Sequence, residues 1–140
     1  VIYLAAFLGA IDPAGPGAPI SPYDVIHDKE EVERRMRDPR RCKPYACNRT
    51  AHTVLKLQAN AREAIPKIKT PVLVIHGVDD NVCLKEGSEQ IFMNVGTDIT
   101  LRRFELLPGL KHEPFAEPSP KSNEAIALVV SFYNLHVSRE

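Results

Sequence analysis

At 140 residues, 44% hydrophobic and 26% charged, the chain is long enough for one domain with a real core and has the ordinary make-up of a soluble globular protein. Eighteen basic and eighteen acidic residues cancel, and a pI near 7.1 leaves no long-range field to draw the chain to nucleic acid or an anionic membrane. Three cysteines, an odd number, argue against a disulfide framework and favour a reducing compartment, and no apolar run approaches the ~20 residues of a membrane span.

Val1–Ala10 is apolar on nearly all sides and predicts a short helix. It imitates a signal-peptide core, but no initiator Met or basic stretch precedes it, so a segment of a longer chain is the better expectation. Asp12 to Pro22 carries four prolines and two glycines, which predicts a stretch without regular structure. Lys29–Arg37 predicts a charged helix with Asp28 as N-cap, Glu31 placed for a capping-box contact and Asp38-Pro39 as its end. Its acids lie early and its arginines late, as the helix dipole favours. A polar loop with Cys42 and Cys47 leads to an amphipathic helix over 49–65, where Val54, Leu57, Ala61 and Ala64 recur at helical spacing.

From Pro71 the pattern becomes strand, helix, strand, helix. Val72–Ile75 is continuously apolar, as in a parallel strand covered on both faces. Lys85–Val95 fits a helix, Ile99–Leu107 alternates like a strand near a sheet edge, and Ser122–Val137 fits a long closing helix. Such a βαβα run implies an α/β fold with a parallel sheet and crossover helices.

In an open parallel sheet, functional groups collect at the carboxyl ends of the strands. Asp79 and Asp80 fall just past the first strand and His112 just past the second. A carboxylate there can accept the Nδ1–H of an imidazole, fix its tautomer and stabilise the imidazolium formed when the ring takes a proton. Asp80 is the favoured acid because it closes an H-G-x-x-D spacing, whereas Asp79 sits in a variable slot beside Val78. The bland alternative stays open: the acids end a strand and cap a helix, and His112 is one more loop histidine. None of the seven glycines (9, 15, 17, 77, 87, 96 and 109) opens or closes a G-x-S-x-G pentapeptide. Cys83 is either a pocket thiol or, on balance, a small buried and inert filler. Cys42 and Cys47 have no matching pair at zinc-ligand spacing, so no metal site is expected. His76 is expected to be a hydrogen-bonded strand-end residue; His27, His52 and His136 receive no role. Asn48-Arg49-Thr50 matches a glycosylation acceptor, taken as a chance match.

His76-Gly77-Val78-Asp79-Asp80-Asn81-Val82-Cys83 and Gly109-Leu110-Lys111-His112-Glu113-Pro114-Phe115-Ala116-Glu117-Pro118 resemble the acid and histidine motifs of the monoacylglycerol lipase and lysophospholipase branch of the α/β-hydrolases. His-Glu followed shortly by Glu-Pro is particularly like that branch. The resemblance is weak over 1–66 and good over 67–118. It implies the C-terminal part of an α/β-hydrolase core over 67–140, preceded by a helical cap over 1–66, with the serine nucleophile and oxyanion-hole amides upstream. It implies Asp80 and His112 as catalytic residues, no cofactor, no metal and no nucleic-acid partner. The substrate class would be a monoacylglycerol or lysophospholipid, with a small or aromatic ester next. Val1, Tyr3, Leu4, Phe7 and Leu8 offer more apolar surface than one packed helix requires, which suits either a lid touching lipid or a membrane surface, or docking onto a missing half. The expected location is the cytoplasm, and these 140 residues alone are expected to be inactive. Two competing readings remain: another chemistry of the same fold, such as haloalkane or epoxide hydrolysis on an aspartate nucleophile, and a non-catalytic binding protein.

Overall fold

In the computed structural model, residues 2–19, 21–41 and 45–137 are described, apart from the side chains of Ile2, Tyr3 and Ala18. Cys42 therefore lies outside the described residues, as do Val1 and the Tyr3 side chain. The apolar start forms helix α1 (Ile2–Ile11), which packs against the long helix α3 (Asn48–Ala64). The turn between α1 and the next element is tied to the start of α3. Asn48 Nδ2 donates to the Asp12 carbonyl at 3.0 Å, and the Asn48 and Arg49 amides donate to the carbonyls of Gly15 and Pro13. Asn48 is buried, so the glycosylation match at 48–50 has no accessible acceptor.

The Pro- and Gly-rich stretch 12–22 departs from expectation. Pro16–Pro19 forms a strand, β1, antiparallel to β2 (Tyr45–Cys47). A two-stranded ribbon asks for few backbone donors, so prolines are tolerated there as on any edge. Pro22–Asp24 then makes one turn of 3₁₀ helix.

Helix α2 (Lys29–Arg37) keeps the expected bounds, and Asp28 accepts the Glu31 amide at 3.0 Å as its N-cap. The Glu31 side chain does not close a capping box. It turns instead to Arg34 and Arg35, with contacts of 2.6–2.8 Å, because two guanidinium groups at i+3 and i+4 outcompete one backbone N–H. Those arginines hold the Glu31 carboxyl down to about 2. In α3 the Val54–Leu57 stripe faces solvent, so its periodicity marks a face this chain leaves uncovered.

The second half follows the expected order. β3 (Val72–Gly77) and β4 (Arg102–Leu107) pair in parallel, Val72 against Arg102 through Gly77 against Leu107. Helix α4 (Lys85–Asn94) makes the crossover and α5 (Lys121–His136) closes the chain. β4 is shorter than its alternation predicts. Asp98 accepts the Thr100 amide and hydroxyl, which folds Ile99–Leu101 into a 3₁₀ turn before the strand begins. Arg102 lies over the Phe92 ring and donates to the carbonyls of Phe92 and Val95, satisfying acceptors at the C-terminal end of α4. Phe92 stacks on Phe104 and anchors the same helix to β4. On the other side of the sheet, Leu73, Ile75, Phe115, Val129, Phe132 and Tyr133 border an open apolar groove. Ala125 buries the start of α5 while Ile126, Val130 and Tyr133 stay exposed.

Candidate active site

The site lies where β3 and β4 end. β4 stops at Leu107, and Pro108-Gly109 turns the chain, with Gly109 at φ +68°, a conformation that costs a glycine little. Leu110 is buried, and its carbonyl accepts the Asp79 amide at 3.0 Å. The returning loop passes so close to β3 that a Cβ on Gly77 would sit 2.3 Å from the carbonyl oxygens of both Leu110 and Lys111. Only glycine permits that approach, and the approach puts His112 beside Asp80.

His112 Nδ1 lies 2.9 Å from Asp80 Oδ2. The other oxygen of Asp80 accepts the Val82 and Cys83 amides at 2.7 and 2.9 Å. The Asp80 carboxylate is 4% exposed. Burial raises its pKa, but the Cys83 and Val82 amides and His112 outweigh burial and hold the carboxyl below its ordinary range. An ionised Asp80 can only accept, so Nδ1 of His112 carries the proton and Nε2 keeps the free lone pair in the neutral ring. Asp79 is 45% exposed and points elsewhere, with Oδ2 3.8 Å from His27 Nε2. Of the two acids singled out from the sequence, only Asp80 meets His112.

His76 is buried at the end of β3. Its Nε2 lies 3.1 Å from the Cys83 carbonyl, which can only accept, and its Nδ1 lies 2.9 Å from the Ser88 hydroxyl. Both nitrogens are thus engaged, which makes the ring a brace for the loop around Asp80. The Cys83 residue is exposed, yet partial burial of its thiol and then the Asp80 charge push its pKa up. Such a thiol is a poor nucleophile at neutral pH. Among the described residues, no group of three or more His, Cys, Asp or Glu side chains could hold a metal ion.

The loop bearing His112 is also held from its far side by residues that sequence reasoning left without a role. Glu117 is buried and accepts the Lys111 amide at 3.0 Å, the His27 amide at 2.9 Å and His27 Nδ1 at 3.0 Å. Burial raises its pKa, and the His27 and Lys111 amides and the His27 ring reverse that to a net lowering. His27, expected to be an idle surface residue, is therefore a partner of this loop. The Glu-Pro pair after His-Glu was visible as a motif, but nothing in the sequence connects it to a residue 90 positions earlier.

A family model for serine aminopeptidases, S33, matches residues 3–119. The chain belongs to this family of α/β-hydrolases. The monoglyceride lipase homolog of Monkeypox virus is 27% identical over 108 residues, 77% of this chain and 38% of its own. A Schizosaccharomyces pombe relative is 25% identical over 107 residues, 76% of this chain and 28% of its own. The crystal structure of Paleococcus ferrophilus monoacylglycerol lipase superposes with a TM-score of 0.81 at 23% identity, covering 97% of this chain and 52% of that one. A soluble variant of Saccharomyces cerevisiae monoglyceride lipase, solved with a substrate analog, gives 0.79 at 22% identity, covering 99% and 48%. The chain thus spans about half the length of these solved structures and less of the curated relatives. No helix among the described residues is long and apolar enough to cross a membrane.

Proposed function

We propose that this chain supplies the acid and the base of a serine hydrolase acting on carboxylic esters, with the nucleophile and oxyanion-hole donors elsewhere in the whole protein. The 2.9 Å contact between His112 Nδ1 and the buried, ionised Asp80 carries this reading. His112 Nε2 takes the serine proton as the hydroxyl attacks the ester carbonyl and returns it to the leaving alcohol. Asp80 holds the ring in the right tautomer and stabilises the imidazolium. Water then releases the acyl group along the same route, with no metal or organic cofactor in the cycle. Residues 1–66 act as a cap and 67–140 as part of the hydrolase core.

A monoacylglycerol or lysophospholipid is the favoured substrate. The names of the relatives support that class, as does the exposed apolar face of α1 at Leu4, Phe7 and Ile11, which suits a greasy acyl chain or a lipid surface.

The test is steady-state hydrolysis of monoacylglycerol and p-nitrophenyl esters by the full-length protein. Asp80→Asn should lower kcat by about 10³–10⁴-fold, while Asp79→Asn leaves it nearly unchanged. Equal losses from the two, or a loss under about tenfold from Asp80→Asn, would overturn the acid assignment. An aspartate where the nucleophilic serine belongs would redirect the same pair to haloalkane or epoxide hydrolysis.

A further inference from the structure

We infer that Glu117 is a positioning residue for His112, latched through His27 to the chain segment that leads into α2. The inference rests on the hydrolase reading above and adds to it a role for two residues outside the acid–base pair.

Glu117 touches the His112 loop one residue before the imidazole, through the Lys111 amide. The same carboxylate, 1% exposed, takes both the backbone and the ring of His27, so three N–H donors from two distant segments converge on two buried oxygens. Three further contacts run along the same seam. The Glu113 amide donates to the Val25 carbonyl at 3.1 Å and Lys111 Nζ to the Tyr23 carbonyl at 2.6 Å. Arg35 Nη1 donates to Glu113 Oε2 at 2.7 Å. Residues 23–35 therefore lie as a strap across 111–117, and His112 sits in the strapped stretch between Lys111 and Glu113.

From the other direction the loop is fixed where Leu110 meets Asp79 and Gly77, by Lys121 Nζ on the Pro108 and Gly109 carbonyls, and by the His112–Asp80 bond itself. A carboxylate suits the Glu117 position because every neighbour it meets is a donor. An amide there would turn an NH₂ group toward an N–H, and one of the three contacts must open. An opened latch leaves the imidazole present but misplaced, and a displacement near 1 Å at a reacting group costs about 100-fold in rate.

The experiment uses the full-length enzyme, a soluble short-chain ester and active-site titration with a fluorophosphonate probe. Glu117→Gln should lower kcat per titrated site by about 10–100-fold with KM little changed. His27→Leu should lower it less, because the Lys111 contact survives. His27→Asn, whose side-chain NH₂ can occupy the place of Nδ1, should recover most of that loss. Fewer titratable sites with an unchanged kcat per site in Glu117→Gln would mean a merely structural role and would overturn the inference. If Glu117→Gln does not fold, the His27 pair decides, and equal kcat values for His27→Leu and His27→Asn would overturn it. A wild-type protein that neither takes up the probe nor cleaves any ester would overturn the hydrolase reading, and this inference with it.

Discussion

The two halves of the molecule are held together by different means. Residues 2–64 rest on one helix against another, with α1 on α3, and on a polar knot at Asn48 that ties the connecting turn to the start of α3. Residues 72–137 rest on a parallel strand pair with α4 clamped to it by Arg102, Phe92 and Phe104. The Asp80–His112 pair, the proposed acid and base, sits wholly in the second half, at the strand ends, and the first half reaches it through the seam between 23–35 and 111–117. Chemistry and support are thereby separable, and substitutions in each half should have distinct signatures.

The sharpest contrast is His112→Ala in the full-length protein. Removing the proposed base should lower kcat by up to about 10⁶-fold while the protein still folds, since the ring stands at the surface with 36% of its side chain exposed. Retained ester turnover would break the assignment of chemistry to the second half.

Gly77→Ala comes next, because it strikes the point where strand and loop touch. A Cβ 2.3 Å from two carbonyl oxygens must push the 110–112 backbone away from β3. The expected outcome is about 1–3 kcal/mol of lost stability together with a fall in kcat of about 100-fold. Denaturant titration and steady-state kinetics on the same sample separate the two losses.

Asn48→Ala tests the opposite corner. It removes a part-buried hydrogen bond from the carbonyl of the exposed Asp12, for a cost of about 1 kcal/mol. The urea midpoint should fall while kcat per active site stays put. A matching loss of kcat would show that the two halves are more tightly coupled than their contacts suggest.

The smallest effect belongs to the exposed charges of α2. The Glu31 carboxyl is held down to about 2 by Arg34 and Arg35. A depressed folded-state pKa means that its contribution is fully present above the ordinary carboxylate value and fades as pH falls toward the folded one. Glu31→Gln should therefore lower the melting temperature slightly at pH 7, where the contribution is fully present, and narrow its drop between pH 5 and pH 2 (roughly the window those two pKa values bracket). A wild-type-minus-variant difference that shrinks as pH rises through that window would contradict the sign.

Much of the second half was legible because local rules and tertiary demands agree there. An unbroken apolar run suits a strand of a parallel sheet, and β3 forms from it, although Val72–Ile75 are only half-buried in this chain. The H-G-x-x-D spacing carries its own geometry, since the glycine admits the loop and the acid follows three residues later. Where a side chain found a stronger partner than the local pattern offered, legibility failed. Asp98 captured Thr100 and shortened β4; Arg34 and Arg35 captured Glu31 from its capping box. β1 was hidden by its own prolines, because whether a Pro-rich stretch pairs depends on a partner strand some 30 residues away.

By itself the sequence determined the order of the helices and of the two parallel strands, and the two short motifs that bear Asp80 and His112, because hydrophobic period, caps and turns act over a few residues. Only the tertiary structure decided which of two adjacent aspartates faces the imidazole, and that His27 and Glu117 hold the loop between them. Those choices turn on distances of a few ångströms between residues 32 and 90 positions apart, and no local preference encodes them.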